Sequence, residues 1–137
     1  MTSKRTFYQR LDKLHAILKA LKPRQYNHTR YIVPGTLTPP ATCGTVGCAL
    51  GHAVVSKQFK NIGIYWDGSD LTLANDDGDA FGQAVANRAD EFFGPEAYDT
   101  IFDSSAYDIW SGDVKRSMVL KRIREFTLRT TGYHIIA

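Results

Sequence analysis

Between Val46 and Val55 the chain carries no long polar side chain, and a helix of this kind has to be covered on nearly every side. Val46, Ala49, Leu50, Ala53 and Val54 fall on one helical face and Cys48, His52 and Val55 on the opposite one. Gly47 and Gly51 lie between them, one turn apart. The pattern predicts a buried helix from residue 45 to residue 56 or 57. Glycine costs a helix about 1 kcal/mol relative to alanine, so two of them one turn apart point to close approach of another backbone or of a ligand. The wider segment, C-G-T-V-G-C-A-L-G-H-A over residues 43–53, also holds both cysteines and one of the four histidines. It is either a site or the tightest packing element of the domain.

Three chemistries fit that segment. Cys43, Cys48 and His52 have C-x4-C-x3-H spacing, and with His28 from the preceding loop they make a candidate zinc set of two thiolates and two imidazoles. Cys43 stands just before the predicted helix start, where free amides and the helix dipole favour a thiolate. His28, His52 or His134 would then be the base of a cysteine-dependent enzyme, although no orienting partner is evident. Finally, Gly44, Thr45 and Gly47 offer amides and a hydroxyl to an anion or small ligand, without the lysine of a phosphate-binding loop. The architectural alternative makes Thr45 an N-cap, Cys48 a small buried hydrophobe and His52 a hydrogen-bonded core residue. A Cys43–Cys48 disulfide is disfavoured, because a helix starting between them points the side chains apart.

The remaining elements follow from periodicity. Thr6 and Gln9 have capping-box spacing, and Phe7, Leu11, Leu14, Leu18 and Leu21 form a helical stripe that Pro23 closes, with His15 at its border. Residues 24–42 read as an irregular connector. Ile62 to Trp66 and Leu71 to Leu73 flank an Asp-Gly turn and predict a β-hairpin. Asn75 to Asp79 lacks the carboxylates of a calcium loop and reads as a solvated turn. Residues 80–93 and 96–102 read as helices separated by Gly94-Pro95. Ser111 or Asp113 caps a last helix that buries Met118, Leu120, Ile123 and Phe126 and stops at Gly132.

Charge is sharply partitioned. Residues 61–113 hold twelve of the fourteen acidic residues and one basic residue, Arg88. The rest of the chain is basic, with only Asp12 and Glu125 as acids. Either the basic terminal helices lie beside the acidic middle, or subunits pair head to tail, or Lys115, Arg116, Lys121, Arg122, Arg124 and Arg129 form a nucleic-acid or partner face. No apolar run approaches the roughly 20 residues of a membrane span. No apolar leader follows the basic start, so the expectation is a cytoplasmic protein with reduced cysteines and no membrane partner.

The cysteine segment resembles the C-G-T-x-x-C-x-x-G-[HW] signature of small uncharacterised proteins from phages and bacteria. The likeness extends in arrangement over residues 6–127 and includes Glu91-Phe92-Phe93-Gly94 and Tyr98 to Asp103. The resemblance implies a phage or prophage origin and a role in the cytoplasm of a bacterial host. Members with tryptophan at the position of His52 lack a metal ligand there, which favours packing over zinc. The expectation is a single α+β domain over 1–137, predominantly helical, with the small-residue helix at its centre and one β-hairpin. The expected function is non-enzymatic: an accessory protein for host takeover or counter-defence that binds a host macromolecule or small ligand, without a cofactor. A zinc-binding or cysteine-dependent enzyme and a small virion or assembly component are the alternatives, and a homo-oligomer fits any of them.

Overall fold

The computed structural model describes residues 2–28, 48–59, 62–66, 71–73, 83–103, 106–107, 109 and 113–136. Over these residues the protein is predominantly helical. The predicted turns at 67–70 and 75–79, most of the 24–42 connector, and Cys43 to Gly47 lie outside them.

Helix α1 spans Lys4–Lys19. Its N-cap is Ser3 and not Thr6: Ser3 is extended and its hydroxyl accepts the Thr6 N–H at 3.2 Å. Thr6 thus sits within the first turn, its own hydroxyl 3.0 Å from that of Ser3. The leucine stripe does what its spacing requires, with Leu11, Leu14 and Leu18 fully buried. A single 3₁₀ turn follows at Pro23–Gln25.

Helix α2 is shorter than its apolar run, Ala49–Val55. Cys48 has extended backbone angles and is the N-cap, and its carbonyl accepts the His52 N–H at 3.0 Å. Cys48 therefore does not share a helical face with His52 and Val55. The expected coverage holds, since Ala49, Leu50, Gly51, His52, Ala53 and Val55 are all buried. Strands β1, Ile64–Trp66, and β2, Leu71–Leu73, pair antiparallel with Ile64 opposite Leu73 and Trp66 opposite Leu71. Helix α3 spans Gln83–Phe93, and a π-helical turn at Tyr98–Phe102 closes with the Asp103 N–H on the Tyr98 carbonyl.

Helix α4 spans Arg116–Thr131. Its N-cap is Lys115 rather than Ser111 or Asp113, because the buried Val114 draws the chain inward just before the helix. Gly132 ends it in the left-handed conformation, φ 80°, donating to the Leu128 carbonyl at 2.9 Å. The core-facing residues are Val119, Leu120, Ile123, Phe126 and Thr127, with Met118 only partly buried.

Helices α1 and α4 form the main interface, and the largest fully buried side chains come mostly from these two helices. Among the described residues this pair occupies the centre that the sequence pattern assigned to α2. The seven residues of α2 pack chiefly against α1 and β1, and His52 also reaches the 3₁₀ turn. Phe59, Phe92, Phe93 and Phe102 extend the core as a chain of edge-on and tilted rings.

Gly63 ties β1 to α3. It has φ +76°, and an added Cβ would lie 2.5 Å from Arg88 Nε. Arg88 cannot easily yield, since Nε donates to the Ile62 carbonyl at 2.7 Å and Nη1 to Glu91 at 2.8 Å. Gly63→Ala should therefore cost about 1–3 kcal/mol. Urea unfolding measures this, and a variant as stable as the parent would contradict the placement.

Candidate functional site

The cysteine–histidine neighbourhood is assembled by α2 and the turn that follows α1. His52 Nε2 donates to the Gln25 carbonyl at 2.7 Å, and burial pushes its pKa down. Tyr26 lies 2.7 Å from His28 Nδ1, and the His28 ring meets Tyr107 edge-on at 5.1 Å. Burial also lowers His28, opposed by the Asp103 backbone and carboxylate, while His28 Nε2 is buried without a partner in hydrogen-bonding geometry among the described residues. Burial raises the Tyr26 hydroxyl and pushes the Cys48 thiol up to about 11, against the pull of the Gly51 and Leu50 amides. At neutral pH only about one Cys48 in 10⁴ would be thiolate. Burial here outweighs the helix start.

Of the candidate zinc set, Cys43 lies outside the described residues. Among the described residues no three His, Cys, Asp or Glu side chains gather as a metal-holding group. His134 is exposed after the end of α4, and Cys43, the thiol it would serve as base, lies outside the described residues. The described part of the motif is occupied with packing: the His52 imidazole bonds the Gln25 carbonyl outside the motif, and the Cys48 thiol is buried with its pKa raised.

The basic residues are arranged differently from a simple solvated face. Arg122 donates to the Thr100 and Ala106 carbonyls at 3.1 and 2.8 Å and lies 4.5 Å from the Tyr107 ring centre. Arg116 reaches the Leu18 and Lys19 carbonyls at the end of α1, at 3.5 and 3.4 Å. Arg124 donates to His15 Nε2 at 3.1 Å, and Arg129 lies over Phe126. Three of the six residues expected to form a partner face, Arg116, Arg122 and Arg124, thus turn their side chains to other elements, while Arg129 lies over a ring of its own helix. Lys115 and Lys121 remain exposed. Long basic side chains bury their stems readily, and carbonyls at helix ends need donors.

These contacts do not neutralise the charge. Helices α1 and α4 carry ten lysines and arginines against Asp12 and Glu125. Their hydrogen bonds run to carbonyls or an imidazole, and the ion pair described between residues of the protein is Arg88–Glu91, on α3. Arg10 donates to the Phe92 carbonyl at 2.9 Å with its guanidinium 4.0 Å from that ring, and Lys13 reaches the Gln58 carbonyl. Among the described residues the acidic middle does not pair with the basic helices.

Two stripes meet along the α1–α4 seam. Arg5, Tyr8, Asp12, His15 and Lys19 recur at spacings of three and four on α1, and Lys121, Arg124 and Leu128 do so on α4. The His15–Arg124 bond and the Tyr8–Tyr133 stack, 4.9 Å between ring centres, join them. Tyr133 is 45% exposed and Leu128 41%. Sequence reasoning missed Arg5, Tyr8, Lys19, Leu128 and Tyr133; the signal was the polar stripe one step round from the leucines. A separate open groove of about 1260 Å³ beside Arg10 carries Lys4 and Arg88 but also Asp90, Glu91 and Glu96. Its charges offset one another.

Searches of family models, curated proteins and solved structures return no match to this chain.

Proposed function

We propose that the chain is a non-enzymatic accessory protein of phage type that acts by binding a host macromolecule through its basic terminal helices. The carrying observation is the α1–α4 layer, whose ten cations have no carboxylate partner among the described residues. Such a layer attracts polyanions and acidic surfaces and repels another copy of itself. The phage setting rests on the likeness of the cysteine segment and the order of elements around it. Against an enzyme centred on Cys48 stands the burial and raised pKa of its thiol, and His52 is committed to a backbone carbonyl.

Thiol labelling tests the non-enzymatic reading. At neutral pH Cys48 should react only as fast as the fold opens in a Cys43→Ser chain, and in a Cys48→Ser chain Cys43, the candidate nucleophile, should react no faster than a free cysteine. Labelling of either thiol faster than that would overturn the proposal. So would one equivalent of zinc retained by the intact protein and lost, together with the fold, in Cys48→Ser.

A further inference from the structure

We infer that the α1–α4 seam is a binding strip for single-stranded nucleic acid, a step that rests on the binding role proposed above and names its partner. The strip runs about 21 Å along α1 from Arg5 to Lys19. Arg5, Lys19 and Lys121 are exposed and form no hydrogen bond or ion pair among the described residues. Arg124 lies between them, half-buried and still unneutralised, since its partner His15 is a neutral acceptor. Asp12 is the acid of the strip on α1, and on α4 Glu125 borders it one turn from Lys121.

The aromatic pair decides the class of nucleic acid. Tyr8 and Tyr133 stack at 27° between planes, with Tyr133 at the solvent side. Tyr133 is held in place from both sides: its N–H reaches the Thr131 hydroxyl at 3.2 Å, and Ile135 is buried. A fixed, half-exposed ring at one end of the cationic strip, with Arg5 one turn from its partner Tyr8, offers a face to an unpaired base while the strip offers charge to the phosphates. In a duplex the base faces are already stacked, so the platform has nothing to add there. An acidic protein surface would use the cations but not the ring.

Fluorescence anisotropy of the full chain with a mixed-sequence single strand, and with the same sequence as duplex, tests the inference. The single strand should bind more tightly. Tyr133→Ala should weaken it by about 5- to 150-fold, the equivalent of one stacked base, while Tyr133→Phe retains most of the affinity. Lys121→Glu should weaken binding more than Arg129→Glu, an equal charge change placed over Phe126 and off the strip. The inference is overturned by equal losses in those two variants, by Tyr133→Ala binding as the parent does, or by a preference for duplex. It is overturned too if the parent chain self-associates in light scattering and Tyr133→Ala abolishes that association. If neither nucleic acid binds while Cys48 proves inert, the strip fails and the broader binding role stands. A reactive Cys48 defeats the broader role itself.

Discussion

Lowering the pH from about 7.5 to about 5.5 should strip this protein of a large part of its stability. His15, His28 and His52 are all buried, and burial holds the pKa of each below its ordinary value of 6.5. For His15 the nearby Arg124 and Lys19 add to the effect, with Asp12 opposing. Lowered pKa values in the folded state mean that the unfolded chain takes up protons first as pH falls below 6.5. Stability is therefore complete above that value and declines until the folded-state pKa values are reached. Each histidine contributes at most about 1.4 kcal/mol per pH unit in this window, and the three losses add in the same direction. Against a typical total of about 5–15 kcal/mol, even part of that sum is readily measured. Asp90, raised mainly by burial, acts in the opposite direction at lower pH. The urea midpoint at the two pH values measures the effect, and His15→Asn should reduce its pH dependence. A midpoint unchanged across the window would contradict the burial of all three.

Phe93→Ala should be the most damaging single substitution in the aromatic chain, at about 3–5 kcal/mol. Phe93 is fully buried and its ring lies 5.0–5.6 Å from those of Phe92, Phe102 and Phe59. Truncation leaves a cavity bordered by rings that cannot all collapse into it, and removes three ring contacts at once. Ile136→Ala, at a position 92% exposed, is the matched control and should change stability by less than about 0.5 kcal/mol. Urea unfolding of both variants provides the comparison. A loss below about 1 kcal/mol for Phe93→Ala would show that the ring chain is not the core it forms here.

The apolar stripes of α1 and α4 were legible in the sequence because a helix with a buried face has few ways to phase its leucines. Helix starts were not. Ser3 and Thr6 are both competent caps, and only the Ser3 hydroxyl meeting the Thr6 amide decides between them. Thr45 likewise promised a helix start, yet the described helix begins after an extended Cys48. Charge was the least legible feature. His15 read as a boundary residue, but an arginine 109 positions away buries it against α4. Arg116 and Arg122 read as solvent-facing decoration, whereas each closes the end of a neighbouring element with its guanidinium. Periodicity gives the direction of a Cβ; the far end of a long side chain goes where an unsatisfied carbonyl waits.

The cysteine segment thereby changes its part in the account. Its described half is a short packed helix with its histidine turned to a backbone carbonyl, and the proposed function rests on the cationic seam. The slope of binding affinity against salt for a single-stranded oligonucleotide tests that claim most directly. With three or four phosphates engaged by Arg5, Lys19, Lys121 and Arg124, log K should fall against log salt with a slope of about −2 to −3 between about 50 and 200 mM. A flat line, or no binding at the lower salt, would contradict the claim that these charges are free to meet a partner.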